Sequence, residues 1–111
     1  MKNKEINIQS AIIAYLRLNN ILCFSVPNGT NIKSVATRAI MKRTGLMSGV
    51  SDIVLVLGRR VVFVEVKTPS GKLSPTQQAF KRCIEGLGHE WHLWRSVEDA
   101  EKFVRELSSI S

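Results

Sequence analysis

The sequence predicts an α/β fold, a mixed sheet of about four strands flanked by helices. Three observations predict it: apolar residues recur at helical spacing near the start of the chain and again beyond Ser74, short β-branched runs of strand length lie between and after them, and the two kinds of segment alternate. At 111 residues the chain is long enough for one modest core and too short for two, so residues 1–111 are expected to form a single domain.

In chain order, Ile8, Ile12, Ile13, Leu16 and Leu18 sit at near-helical spacing and predict an amphipathic helix over roughly Glu5 to Asn19. Asn19-Asn20 stops it, and Ile21 to Val26 reads as a strand. Pro27-Asn28-Gly29-Thr30-Asn31 has the composition of a loop. Ile32 to Thr44 is a weaker, basic helical stretch, and Gly45 to Ser51 an irregular entry to the next strand. Asp52 to Leu57, then Gly58-Arg59, then Arg60 to Lys67 reads as a hairpin of two buried strands. After a loop over Thr68 to Leu73, Ser74-Pro75 opens a helix, an N-cap followed by proline at the first helical position. That helix carries Ala79, Phe80, Cys83, Ile84 and Leu87 and ends at Gly86 or Gly88. His89 to Trp94 alternates as a strand, and Ser96 begins a final helix through Leu107.

The longest apolar runs, Ile53 to Leu57 and Val61 to Val64, are strand-sized, far below the ~20 residues a bilayer span needs, so no membrane partner is expected. The start of the chain, Met1-Lys2-Asn3-Lys4-Glu5, carries three charged side chains, unlike the apolar block of a signal peptide. Cys23 and Cys83 lie in apolar surroundings without metal-ligand spacing and read as buried, reduced thiols of a cytoplasmic protein. Net charge is +7, and it is unevenly placed: thirteen basic residues but only three acids, Glu5, Asp52 and Glu65, fall between Met1 and Arg82. A basic body suits a polyanion such as nucleic acid. Three acids kept in such a region invite the question of what each one does.

The hairpin supplies an answer for two of them. If Gly58-Arg59 is its turn, Leu57 faces Arg60 and paired residues have numbers summing to 117, which sets Asp52 opposite Glu65. Opposed like charges on neighbouring strands are destabilising, and burying two carboxylates together is costly without a proton or cation between them. A divalent ion resolves the conflict, and carboxylate oxygens suit Mg²⁺ or Mn²⁺. Lys67, two residues beyond Glu65, shares its sheet face. Its ammonium can orient an attacking water, stabilise charge growing on a phosphate, or act as general base, and the sequence does not choose among these. The plainer alternative is a strand that ends in Glu-Val-Lys at an exposed sheet edge.

Gly49-Val50-Ser51-Asp52 followed by Glu65-Val66-Lys67 resembles the D…(D/E)-x-K signature of the PD-(D/E)XK nuclease superfamily, with Ser51 where the superfamily's name has proline. More closely, the chain resembles a stand-alone, virus-type VRR-NUC domain. The resemblance covers nearly the whole chain: Glu5-x-x-Ile8-Gln9, Pro27-Asn28-Gly29, Gly45 to Asp52, Phe63-Val-Glu-Val-Lys67-Thr68, and Gly71-Lys-Leu-Ser74-Pro-x-Gln77. It implies a restriction-endonuclease-like fold. It also implies a divalent metal held by Asp52, Glu65 and the backbone carbonyl of Val66, with Glu5 approaching from the first helix directly or through water. Lys67 would be the catalytic lysine. Gln77 would reach the catalytic centre from the following helix, with Gln78 its rival and Gln9 a weaker member of the group. The implied activity is metal-dependent hydrolysis of DNA phosphodiesters, in the cytoplasm of a bacterial or virus-infected cell. Stand-alone members resemble Holliday-junction resolvases, which implies a homodimer acting on branched DNA. Alternatives are a nickase, flap or restriction-type nuclease on the same site, a catalytically silent DNA-binding module, and RNA as substrate.

Lys33, Arg38, Lys42 and Arg43 form the best candidate for a phosphate-contacting patch, followed by Lys72, Arg59 and Arg60; a merely solvated basic face is the alternative. His89 and His92 lack partners at ligand spacing. Trp91 and Trp94 differ by an odd number in the strand, so one is expected inside and the other exposed, open to base stacking or an interface.

Overall fold

Two β-branched runs and the two-residue link between them set the centre of the molecule. The computed structural model describes residues 2–27 and 33–110. Its elements are α1 (Lys2–Leu18), β1 (Leu22–Ser25), α2 (Val35–Arg43), β2 (Ile53–Val56), β3 (Val61–Val66), α3 (Pro75–Gly86), β4 (Glu90–Trp94) and α4 (Val97–Ile110). The strands lie in the order β1-β2-β3-β4, the first three antiparallel and β4 parallel to β3. A parallel neighbour requires a crossover connection, and α3 is that connection. The sheet is therefore mixed and flanked by helices, as the alternation of patterns predicts.

Register follows the sum of 117: Ile53 pairs with Val64 and Val56 with Val61, and the Leu57 N–H donates to the Arg60 carbonyl at 2.8 Å across the turn. Strand alternation then sorts the side chains by face. Cys23, Ile53, Leu55, Val62, Val64, Val66 and Trp94 turn to one side, where Ile12 and Leu16 of α1 and Ala100 and Phe103 of α4 close the main core. On the other side α3 covers β3 and β4 through Ile84 and an edge-to-face contact of Phe80 on Phe63 at 5.7 Å. That second cover is partial, for Leu22, Phe24, Val56 and Val61 remain exposed on the β1–β3 part of the same face.

Several details differ from the sequence expectation. Both tryptophans are buried, because both sheet faces are covered at β4: Trp94 packs in the main core and Trp91 lies under α3, with Lys81 over its ring. Cys23 is buried but Cys83 is exposed, since it falls on the outer side of α3. Leu87 is likewise exposed just past the helix end. Most of the loop expected at residues 27–31 lies outside the described residues, as does the expected start of the second helix at Ile32. The described helix begins at Val35, where the Ser34 hydroxyl accepts the Thr37 N–H. None of its residues is buried, and among the described residues it packs on no other element.

Candidate active site

β2 and β3 leave the sheet side by side at the end of the hairpin away from its turn, and one further step of their register sets Asp52 opposite Glu65. Both lie on the face that α3 covers. The Val66 N–H donates to Asp52 Oδ2 at 2.8 Å, which ties that carboxylate to β3. Glu65 is only 1% exposed. Its Oε2 accepts from Gln77 Nε2 at 3.0 Å, whereas its Oε1 is buried with no donor to satisfy it, and only a proton shared with the Asp52 carboxylate, or a cation, can do so.

A carboxylate placed this way ionises with difficulty. Burial is the largest cause and the neighbouring Asp52 the next, and together they push the Glu65 carboxyl up to about 9 against the counter-pull of Lys67. Glu5 adds a smaller upward push, so the first turn of α1 is within electrostatic reach of the site.

Gln77 reaches Glu65 because of how α3 begins. The Ser74 hydroxyl accepts the Gln77 N–H at 3.2 Å and the Ser74 N–H donates to Gln77 Oε1 at 2.8 Å, a reciprocal capping box. With its oxygen engaged by the cap, the Gln77 amide has its NH₂ aimed at Glu65; turned over, it would set oxygen against oxygen. Gln78 points elsewhere and donates to the Leu73 carbonyl at 3.2 Å. Gly49 seats the approach to Asp52 against this same cap. Its φ is +84°, and a Cβ there would collide with the Thr76 carbonyl and the Gln77 N–H.

Lys67 follows directly on β3, half-buried, with its N–H donating to the Trp94 carbonyl at 3.1 Å. Gln9 lies farther along α1 in an open groove with Ser10, Arg17 and Ser25. Lys33, Arg38, Lys42 and Arg43 are all exposed on or beside α2, and Lys72 is exposed in the loop after Lys67. Arg59 and Arg60 sit at the far end of the hairpin, Arg60 five ladder steps or roughly 17 Å away. Arg60 is moreover committed to a two-pronged ion pair with Glu90 at 2.6 and 2.7 Å, which removes it from the phosphate-contacting patch. His92 lies 3.6 Å from the same carboxylate, and His89 borders the cleft beside it.

Among the described residues no three His, Cys, Asp or Glu side chains converge as a metal-holding group. Two opposed carboxylates, one with an unpartnered buried oxygen, nevertheless fit a hard divalent cation, because Mg²⁺ commonly takes one or two carboxylates and completes its shell with water and substrate phosphate. Sequence reasoning named Ser51 only as a departure from the motif and missed Arg95. Ser51 is wholly buried with its hydroxyl unpartnered. Arg95 spans to the loop after Lys67 and bonds its carbonyls. An isolated Ser or Arg carries no periodicity or spacing that would have revealed either.

The fold has solved counterparts. A VRR_NUC domain superposes with a TM-score of 0.67 at 19% identity, over 92% of this chain and 95% of that one. A VRR_NUC domain protein superposes with a TM-score of 0.74 at 14% identity, over 93% and 86%. No curated protein matches the chain by sequence. The VRR-NUC domain family model matches residues 3–98, so the chain belongs to the VRR-NUC family, a nuclease domain of the PD-(D/E)XK superfamily.

Proposed function

We propose that the protein is a metal-dependent endonuclease that hydrolyses phosphodiester bonds of DNA, acting as a homodimer on branched substrates such as four-way junctions. The observation that carries the catalytic part is the buried Glu65, opposed to Asp52 and with one oxygen unpartnered, two residues before a lysine on the same face. Nucleases of this superfamily generally use divalent metals. In this proposal Asp52, Glu65 and the Val66 carbonyl hold Mg²⁺ or Mn²⁺, which would supply Lewis-acid polarisation of the phosphate and a more acidic water. Lys67 orients that water or offsets charge growing on the phosphate. Gln77 keeps Glu65 Oε2 engaged so that Oε1 is the oxygen offered to the ion, and Glu5 contributes directly or through a water.

The exposed apolar strip of Leu22, Phe24, Val56 and Val61 supports a second copy, as does the exposure of Val35 and Ile40 on a helix that packs on no other helix or strand among the described residues. Each active site cuts one strand, so symmetric cutting of a junction needs two. Lys33, Arg38, Lys42, Arg43 and Lys72 would hold phosphates, a mode of binding that reads shape more than sequence.

The test is cleavage of a labelled four-way junction and of matched linear duplex in Mg²⁺ or Mn²⁺. Wild type is expected to cut the junction selectively, and Lys67→Ala to lose at least about 100-fold in rate. Cutting without junction preference would remove the resolvase form and keep the nuclease. Tight binding without cutting in either metal would point to a silent binding module.

A further inference from the structure

We infer that Arg95 is a positioning residue for Lys67, acting through the Thr68–Gly71 turn, an inference that rests on the catalytic role proposed above for Lys67. The chain must reverse as soon as β3 ends. Pro69 presets the second position of a four-residue turn, and the Thr68 carbonyl accepts the Gly71 N–H at 3.0 Å to close it. The turn folds back onto the lysine itself. A Cβ at Gly71 would lie 3.4 Å from both Cβ and Cδ of Lys67 and 3.2 Å from Thr68 Oγ1, so the Gly71 backbone forms a wall along the aliphatic stem.

Left to itself, an exposed turn of this kind is a soft wall. Arg95, the first residue after β4, stiffens it. Its Nη1 donates to the Thr68 carbonyl at 2.7 Å, the Gly71 carbonyl at 2.7 Å and the Pro69 carbonyl at 3.2 Å. These bonds have a charged donor, and those to Thr68 and Gly71 are partly withdrawn from solvent, which makes them stronger than neutral ones. Arg95 is anchored in turn, because its own N–H donates to Asp99 Oδ2 at 2.7 Å on the first turn of α4. The preceding residue, Trp94, accepts the Lys67 N–H at 3.1 Å. The exit of β4 thus fixes the lysine twice, its backbone through Trp94 and its stem through Arg95 and the turn. A four-carbon stem would otherwise let the ammonium wander through many rotamers.

The test compares Arg95→Ala and Arg95→Lys with wild type and with Lys67→Ala in single-turnover and steady-state cleavage. Arg95→Ala is expected to lower kcat by about 10- to 100-fold, the loss typical of a misplaced catalytic group, with KM nearly unchanged. Arg95→Lys should recover part of the rate, and added guanidinium should partly rescue Arg95→Ala. In the Lys67→Ala background, Arg95→Ala should cost nothing further. A readout free of metal is the resonance of ¹³C-dimethylated Lys67, assigned by its loss in Lys67→Ala, which should shift in Arg95→Ala.

If Lys67→Ala leaves cleavage intact, the catalytic reading of Lys67 fails and this inference with it. If Lys67→Ala abolishes cleavage while Arg95→Ala and Arg95→Lys cut like wild type, only the inference falls. An equal loss from Arg95→Ala with and without Lys67 would mark Arg95 as a general fold staple and also overturn it. Should Arg95→Ala fold poorly, Arg95→Lys alone decides, by whether kcat changes while KM and melting temperature hold.

Discussion

Glu65 shows how a single residue can be held against its own chemistry. In the absence of a cation the buried carboxyl keeps its proton to about pH 9, whereas in the unfolded chain it would release it near its ordinary value of 4.5. Between these limits the folded protein binds a proton that the unfolded chain has lost, so stability is greatest below the lower limit and falls as pH rises towards the upper one. Glu65→Gln removes this penalty without changing the shape. In EDTA at pH 8 the variant is expected to melt above wild type, by about 4–8 °C for each ~1 kcal/mol relieved in a domain of this size. Its melting temperature should also be nearly flat from pH 5 to 9, while cleavage and metal-induced stabilisation are lost. Thermal unfolding across that range checks it, and a variant no more stable than wild type at pH 8 would show that the buried charge is already compensated. Stability given up at the site in this way is what a residue kept for metal binding is expected to show.

At the scale of elements, the start of α3 organises the site, since one capping box both begins a helix and aims Gln77 at Glu65. Gly49 is pressed against that cap in a left-handed conformation. Gly49→Ala is expected to destabilise by about 1–3 kcal/mol from the backbone conformation alone. It should also lower cleavage more than its stability loss explains, because the segment entering Asp52 must shift away from Gln77. Urea unfolding beside cleavage at a temperature where both proteins are folded separates the two effects; equal activity there would make Gly49 purely structural. Much of this arrangement was legible beforehand. The two-residue Gly58-Arg59 link determined the register, and hence the Asp52–Glu65 opposition, and Ser74-Pro75 marked the helix start. The choice between Gln77 and Gln78 was not legible, because it depends on a side chain turning back to its own cap. The expectation that one of the two tryptophans would be exposed failed because alternation tells which face a residue takes but not what will cover it, and Cys83 was expected buried because apolar neighbours in sequence do not tell which side of a helix faces out.

For the whole molecule, basic charge outside the site should govern affinity and leave the chemical step alone. Removing Lys42 or Arg43, both exposed at the end of α2, is expected to weaken binding evenly across DNA sequences. Each loss should reduce the slope of log K against log salt by about one unit. Fluorescence anisotropy in Ca²⁺ measures this, and single-turnover cleavage at saturating DNA should stay at the wild-type rate. An unchanged slope would assign phosphate contact to other residues, Lys72 first among them.

The detachment of α2 has a mechanical consequence. A nine-residue helix with no buried residue, and with no other helix or strand packed on it among the described residues, is marginal in water, so its hydrogen bonds should open at little cost and exchange among the fastest in the protein. Asp52, Glu65, Lys67 and Gln77 lie on or beside other elements. If α2 contacts nucleic acid as proposed, that segment can bend, melt or re-form to follow an irregular surface, while the two opposed carboxylates stay where the hairpin holds them.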